Sequence, residues 1–228
     1  MDGRKRNARR TEAGDIEAAA AHLAALVARV RACRVCREQP AGKPLPHEPR
    51  PVLQVSPDAR LVISGQAPGT RVHASGRPFT DPSGDRLRAW LGIGEEVFYD
   101  ENRVSIVPMG FCFPGQDGKG GDLPPRAECA PLWRKELLAA LPRVELILLV
   151  GLYAQRWHLK ERRGRHASLT ATVGDWRSIL ASAEPGQPRV LPLPHPSWRN
   201  TAWLKANPWF ESELLPVLRT EVARLVAR

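Results

Sequence analysis

No run of eighteen or more apolar residues interrupts this 228-residue chain, so nothing in it predicts a membrane span. Met1 to Arg10 is rich in Lys and Arg but carries no apolar segment, so a secretory signal is not expected. Residues 1–14 read as a disordered basic arm and the compartment as cytoplasmic. Acidic residues are the minority charge, 24 against 34 Lys and Arg, leaving a net charge of +10. That balance suits a polyanionic partner, because cations that neutralise phosphates release condensed counterions; an Arg-rich composition without functional meaning is the bland alternative. No internal repeat is present, which excludes a repeat architecture. Cysteine is scarce: Cys33 and Cys36 form a CxxC pair, and Cys112 and Cys129 flank the sixteen-residue segment from Phe113 to Glu128. In a cytoplasmic protein four thiols do not suggest a disulfide framework. They leave a choice between a metal site, either tetrahedral zinc or a 4Fe–4S cluster, and unrelated core thiols.

What the chain does contain is an alternation of short apolar runs with helical patterns. Leu61–Ser64, Val104–Val107, Glu145–Val150 and Val190–Leu193 read as buried strands. Ser83–Leu91, Pro125–Leu141 and Leu152–Leu159 read as crossover helices. Asp15–Arg31 is a helix leading into the CxxC pair, and Asn207–Arg228 is an amphipathic helix interrupted at Pro216. The alternation predicts one α/β domain over residues 15–228, a three-layer arrangement with a short, mainly parallel sheet flanked by helices. The tract from Gly115 to Asp122 reads as a mobile loop.

Two loops follow strands and should open on one sheet edge, where α/β proteins bind ligands. The first is Gly65-Gln66-Ala67-Pro68-Gly69, continuing to Gly76-Arg77-Pro78-Phe79-Thr80-Asp81; the second is His195-Pro196-Ser197-Trp198-Arg199-Asn200. One offers an aromatic and an acid, the other a histidine. Taken in order with the CxxC pair, the Gly-Arg-Pro-Phe-Thr-Asp-Pro-Ser-Gly segment at 76–84 and the cysteine pair around a Gly/Pro-rich loop, they resemble the uracil-DNA glycosylase superfamily. Within it the likeness is to the iron–sulfur branches of bacteria and archaea, families four and five.

The resemblance implies a DNA-repair enzyme, acting as a monomer, that flips uracil out of DNA and hydrolyses its glycosidic bond to leave an abasic site. It implies a structural 4Fe–4S cluster on Cys33, Cys36, Cys112 and Cys129, with zinc the next choice. Phe79 would be the platform for the flipped base. Asp81 would orient the attacking water and stabilise the sugar cation, although one residue is missing between the threonine and the acid compared with family five. Asp81 also fits a helix cap, and Asp85 is the fallback acid. The backbone amides of Gln66 and Ala67 would bind uracil O2, with the Gln66 side chain positioning water. His195 would donate to O2 as charge builds on the leaving base, a role suited to a neutral imidazole. Pro68, Gly69, Ser197, Trp198, Arg199 and Asn200 would contact DNA, Arg199 at the position that inserts into the duplex. No asparagine precedes Cys112, so reading of the base edge falls to Gln116, Asp117 or the backbone at Met109 and Gly110. The 113–128 loop contains no histidine, so turnover rather than a covalent adduct is expected, and His166 lies in a basic run read as a solvated or phosphate-contacting surface. No lysine aligns as a nucleophile, so strand cleavage is not expected. Two other readings remain: a sister glycosylase for hypoxanthine, xanthine or mismatched thymine, and a catalytically weak protein that binds damaged DNA.

Overall fold

A computed structural model describes residues 2–160 and 168–227, with side chains from residue 17 onward. The basic arm expected at 1–14 and the basic run around His166 therefore lie outside the described side chains. Four parallel strands, β1 (Leu61–Ser64), β2 (Val104–Ile106), β3 (Leu146–Val150) and β4 (Arg189–Leu193), form a sheet in the order β2-β1-β3-β4. The chain winds from β1 outward to β2, then crosses back to place β3 on the other flank of β1. The switch point thus falls between β1 and β3, and their carboxyl ends open the crevice where such sheets hold ligands. Pro192 is tolerated because β4 pairs only with β3.

Strand residues alternate between two cores, which gives the three layers. Leu61, Ile63, Leu146, Leu148, Leu191 and Leu193 face one core, while Val62, Ile147 and Leu149 face the other. The first core is closed by α4 (Pro82–Leu91) and the C-terminal helix; the second by α1 (Asp2–Arg31), α6 (Cys129–Ala139) and α7 (Leu152–His158). Short helices α2 (Val35–Glu38), α3 (Thr70–Ser75), α5 (Glu95–Phe98), α8 (Leu169–Gly174), α9 (Trp176–Ala181) and α10 (Thr201–Ala206) fill the connections.

Three local expectations need correction. The helix predicted from Pro125 begins at Cys129, after a turn at 127–128. The C-terminal helix is not broken at Pro216. A π-helical turn over Phe210–Leu214 precedes α11 (Leu215–Val226), and Pro216 sits in the first turn of α11, where no amide N–H is needed. The glycine-rich tract is a closed turn rather than a loose loop: Gln116 and Asp122 pair as an antiparallel bridge, and the Asp117 carboxylate accepts the Lys119 and Gly121 amides at 2.9 and 2.8 Å.

Candidate active site

The floor of the crevice extends the β1–β2 pairing past the strands. Val107 donates to the Ile63 carbonyl at 2.9 Å, Met109 to Gly65 at 2.9 Å and Gly110 to Gln66 at 2.8 Å. The two backbone N–H groups at Met109 and Gly110 are therefore spent on the first loop.

Phe79 stands over this floor. A Cβ added at Gly65 would lie 3.2 Å from Phe79 Cζ, so the glycine lets the ring approach the loop. Phe79 is the one described non-glycine residue with positive φ, at 54°, a conformation that costs about 1–3 kcal/mol and needs external support. The Tyr99 hydroxyl and Arg88 donate to its carbonyl at 3.1 and 3.3 Å, and Phe98 packs edge-on against its ring. Gly84 completes the support, since a Cβ there would fall 1.8 Å from the Phe79 oxygen.

Asp81 occupies the N-cap position of α4, yet its side chain makes no capping bond; its carbonyl accepts the Gly84 amide at 2.8 Å. The carboxylate lies close enough to His195 to act on it electrostatically. Burial pushes the His195 imidazole below its ordinary pKa, and the Asp81 charge partly opposes that. Ser197 N–H donates to His195 Nδ1 at 3.2 Å, and the Asn200 side-chain amide donates to the His195 carbonyl at 2.7 Å. Arg86 of α4 reaches across to the Ser197 carbonyl at 3.1 Å, tying the acid-bearing helix to the histidine loop. Gln66 joins the group through Gly151. A Cβ at that glycine, which has φ +84°, would come within 2.5 Å of Gln66 Nε2 and 3.3 Å of His195 Cβ.

Gln66, Phe79, Asp81 and His195 thus meet at one sheet edge, with Met109 and Gly110 behind them. Other expected residues serve different ends. Gln116 donates into its own turn, to Gly120 O at 3.3 Å and Asp122 at 3.4 Å, and Asp117 is occupied by amides. Asp85 pairs with Arg88 at 2.5 Å on the outer side of α4. Arg199 lies along the glycine-rich turn, its nitrogens 3.2 and 3.4 Å from where a Gly121 Cβ would be, whereas Trp198 is 76% exposed. Asp122 lies 3.1 Å from the corresponding point at Gly69. The glycine-rich turn therefore sits between the two loops expected to touch DNA.

Sequence reasoning placed Gly84 in the 76–84 segment without giving it a role, and missed Tyr99, Gly151 and Arg134. Gly151 carried a readable sign, a glycine between an apolar strand and a helix. The fully buried Arg134 carried none: it donates to the Pro108 carbonyl at 2.9 Å, Ser64 Oγ at 2.9 Å and His158 Nε2 at 2.8 Å.

All four cysteines line one enclosed pocket, walled otherwise by apolar residues such as Val30, Phe111 and Trp133. The Trp133 indole N–H donates to Cys33 Sγ at 3.4 Å. A shared hydrogen bond between Cys36 and Cys129 holds the first thiol down and drives the second up, and burial pushes Cys112 up to about 12. Among the described residues no group of three or more His, Cys, Asp or Glu is drawn together as a site for a metal ion. The donor set itself, four thiols in an apolar pocket, fits a thiolate-bound group.

The family model of the Uracil DNA glycosylase superfamily matches residues 53–219, a span that includes both loops and leaves Cys33 and Cys36 outside it. Among the described residues no helix is long and apolar enough to cross a membrane.

Proposed function

Given that the chain belongs to the Uracil DNA glycosylase superfamily, we propose that it is a monofunctional uracil-DNA glycosylase of the iron–sulfur type, acting as a monomer on DNA in the cytoplasm. The flipped base stacks on Phe79. As the glycosidic bond breaks, negative charge collects on the base and positive charge on the sugar. His195 meets the first charge and Asp81 the second, with Asp81 and Gln66 orienting the attacking water. The observation that carries this reading is the hydrogen bond from Ser197 N–H to His195 Nδ1. An amide only donates, so Nδ1 holds the lone pair and the proton sits on Nε2. A half-buried neutral imidazole that carries its proton on Nε2 can serve as the donor for uracil O2.

The test is excision from a labelled oligonucleotide holding one uracil, single-stranded and opposite G or A, with alkali to reveal abasic sites. Uracil-dependent product that both Asp81→Asn and His195→Ala suppress is the expected result. Uracil-independent binding without product would sink the reading.

A second substrate reading has its own support. The Met109 and Gly110 amides and the Gln116 side chain are already engaged, so few donors face the O4 edge that separates uracil from other bases. A sister preference for hypoxanthine, xanthine or mismatched thymine would appear as faster excision in a panel of modified duplexes.

The four thiols are the residues that would hold a 4Fe–4S cluster, with zinc as the alternative. When bound, such a group would serve as a structural crosslink with no part in the hydrolysis. Cys33 and Cys36 at the end of α1 would then be tied to Cys112 after β2 and to Cys129 at the start of α6. Iron, sulfide and zinc analysis of anaerobically purified protein decides between them.

A further inference from the structure

Beside the base site, and absorbed by none of the roles above, a groove of about 190 Å³ runs along α7. By liquid volume that equals roughly six water molecules, enough to seat a flat ring. Met109 lines it, and the same residue is bonded to Gly65 on the crevice floor. The α7 helix that lines it starts directly after Gly151, which abuts Gln66 and His195. The groove therefore continues the base site.

Its chemistry is that of a nucleic-acid track. Tyr153 and Trp157 stand one helical turn apart on α7, with Arg156 and Lys160 beside them, and Lys160 Nζ lies 4.2 Å from the centre of the Trp157 ring. Arg126 also lines the groove, its charge partly met by Glu128 at 2.8 Å. Among the described residues no acidic side chain lines the groove. Aromatic faces interleaved with cations bind unpaired bases and the phosphates between them, whereas paired bases already stack on each other.

We infer that this groove holds the nucleotides next to the flipped base as an unpaired strand, with bases against Tyr153 and Trp157 and phosphates against Arg156 and Lys160. The inference rests on the DNA-acting reading and narrows its substrate to single-stranded or locally opened DNA.

The test is anisotropy with a labelled oligothymidylate lacking uracil, and with a duplex of equal length, over a range of salt. Arg156→Ala with Lys160→Ala should weaken single-strand binding about tenfold and reduce the log–log salt slope by about 1.4, since each phosphate contact on a single strand is worth about 0.7. Both side chains are exposed, so this variant should fold as wild type. Trp157→Ala should weaken single-strand binding about 5- to 100-fold, with Trp157→Phe retaining most of it. Because Trp157 also packs on a core, its variants are compared at matched thermal stability. Duplex affinity should change far less. The inference is overturned if wild type does not bind the single strand, if the charge variant keeps its affinity and slope, or if single-strand and duplex binding fall equally. An acidic peptide as the true occupant would give the unchanged slope. No base is cut in this assay, so its failure and a failure of excision are read separately.

Discussion

Ser197 donates its backbone N–H to Nδ1 of His195 at 3.2 Å, and the two residues belong to the same loop, so the loop sets the tautomer of its own histidine. Burial reinforces the setting by disfavouring the imidazolium.

The pH dependence of excision should show this. An ordinary histidine protonates near about 6.5, and His195 protonates lower, so the rate should stay level from neutral pH to below that value before it falls. Asp81→Asn removes the charge that holds the imidazole pKa up, so any residual activity should keep its plateau to still lower pH. His195→Ala should cost about 100- to 1000-fold in single-turnover rate, the usual size of one lost oxyanion donor. A wild-type rate already halved near pH 7 would contradict the buried neutral state.

Gly84 tests the support of Phe79 separately from its ring. A methyl there would lie 1.8 Å from the Phe79 carbonyl, a backbone atom that cannot swing aside. Gly84→Ala should therefore displace the 79–81 turn and cut excision at least about tenfold, with a stability loss of about 1–3 kcal/mol by denaturant melt. Phe79→Leu should lower activity with a smaller stability change. Equal melts and equal rates for Gly84→Ala and wild type would remove the steric argument.

The strands, their parallel order and the meeting of Gln66, Phe79, Asp81 and His195 were legible because they rest on short-range rules: buried runs of four to six residues and loops at strand ends. What stayed illegible depends on distant partners. Nothing local says that the Gln116 amide turns inward or that Asp117 caps a turn, since both follow from a bridge closed across the tract. Arg134 reads as one more surface cation on an amphipathic helix, and only the packed fold reveals that its side chain points into the second core. The C-terminal helix was misread because a proline interrupts only when it is past the first turn, and the π-helical turn ahead of Pro216 set that position.

The cysteine pocket divides two expectations. If the thiols are core residues, Cys112→Ser or Cys129→Ser buries a hydroxyl at about 1–3 kcal/mol and lowers the melting temperature by several degrees. If they hold a cluster, each substitution should also remove iron and sulfide in proportion and lower the melt further, and Cys33→Ser, although less buried, should act like the rest. Equal, small effects with no metal in wild type would favour core thiols.

Trp198 and Arg199 are placed differently in their loop. Arg199 is laid against Gly121 and beside Asp117, whereas the indole of Trp198 projects into solvent. An apolar wedge that props open a base step matters when a base must be pulled from a duplex and much less when it is already unpaired. Trp198→Ala should thus reduce excision from duplex about tenfold while leaving single-strand excision nearly unchanged. Arg199→Ala should lower both alike if it only anchors the turn. The reverse pattern would return the wedge to Arg199.

The fully buried Arg134 and the half-buried His158 form a pair without a carboxylate between them among the described residues. The guanidinium, pulled down to about 9 by burial, still carries its proton at neutral pH and donates to His158 Nε2 at 2.8 Å. That lone pair can accept the bond only while the imidazole is neutral; burial pushes the His158 pKa down, and the Arg134 charge lowers it further, to about 3. In the unfolded chain the same imidazole takes up a proton as pH drops through about 6.5. Between those values acid favours the unfolded chain, so stability should fall by about 2 kcal/mol from pH 7 to pH 5 on account of His158, with His195 adding in the same direction. Denaturant melts at the two pH values should show this loss in wild type and a smaller one in His158→Gln. Arg134→Met removes the bonds to Val107, Pro108 and Ser64 at the ends of β1 and β2, and should cost about 2–4 kcal/mol at pH 7. It should also make the acid dependence shallower without abolishing it, because the charge of Arg134 is gone while burial still opposes protonation of His158. If Arg134→Met keeps the wild-type pH slope, burial alone sets the His158 pKa and the guanidinium merely braces the strand ends.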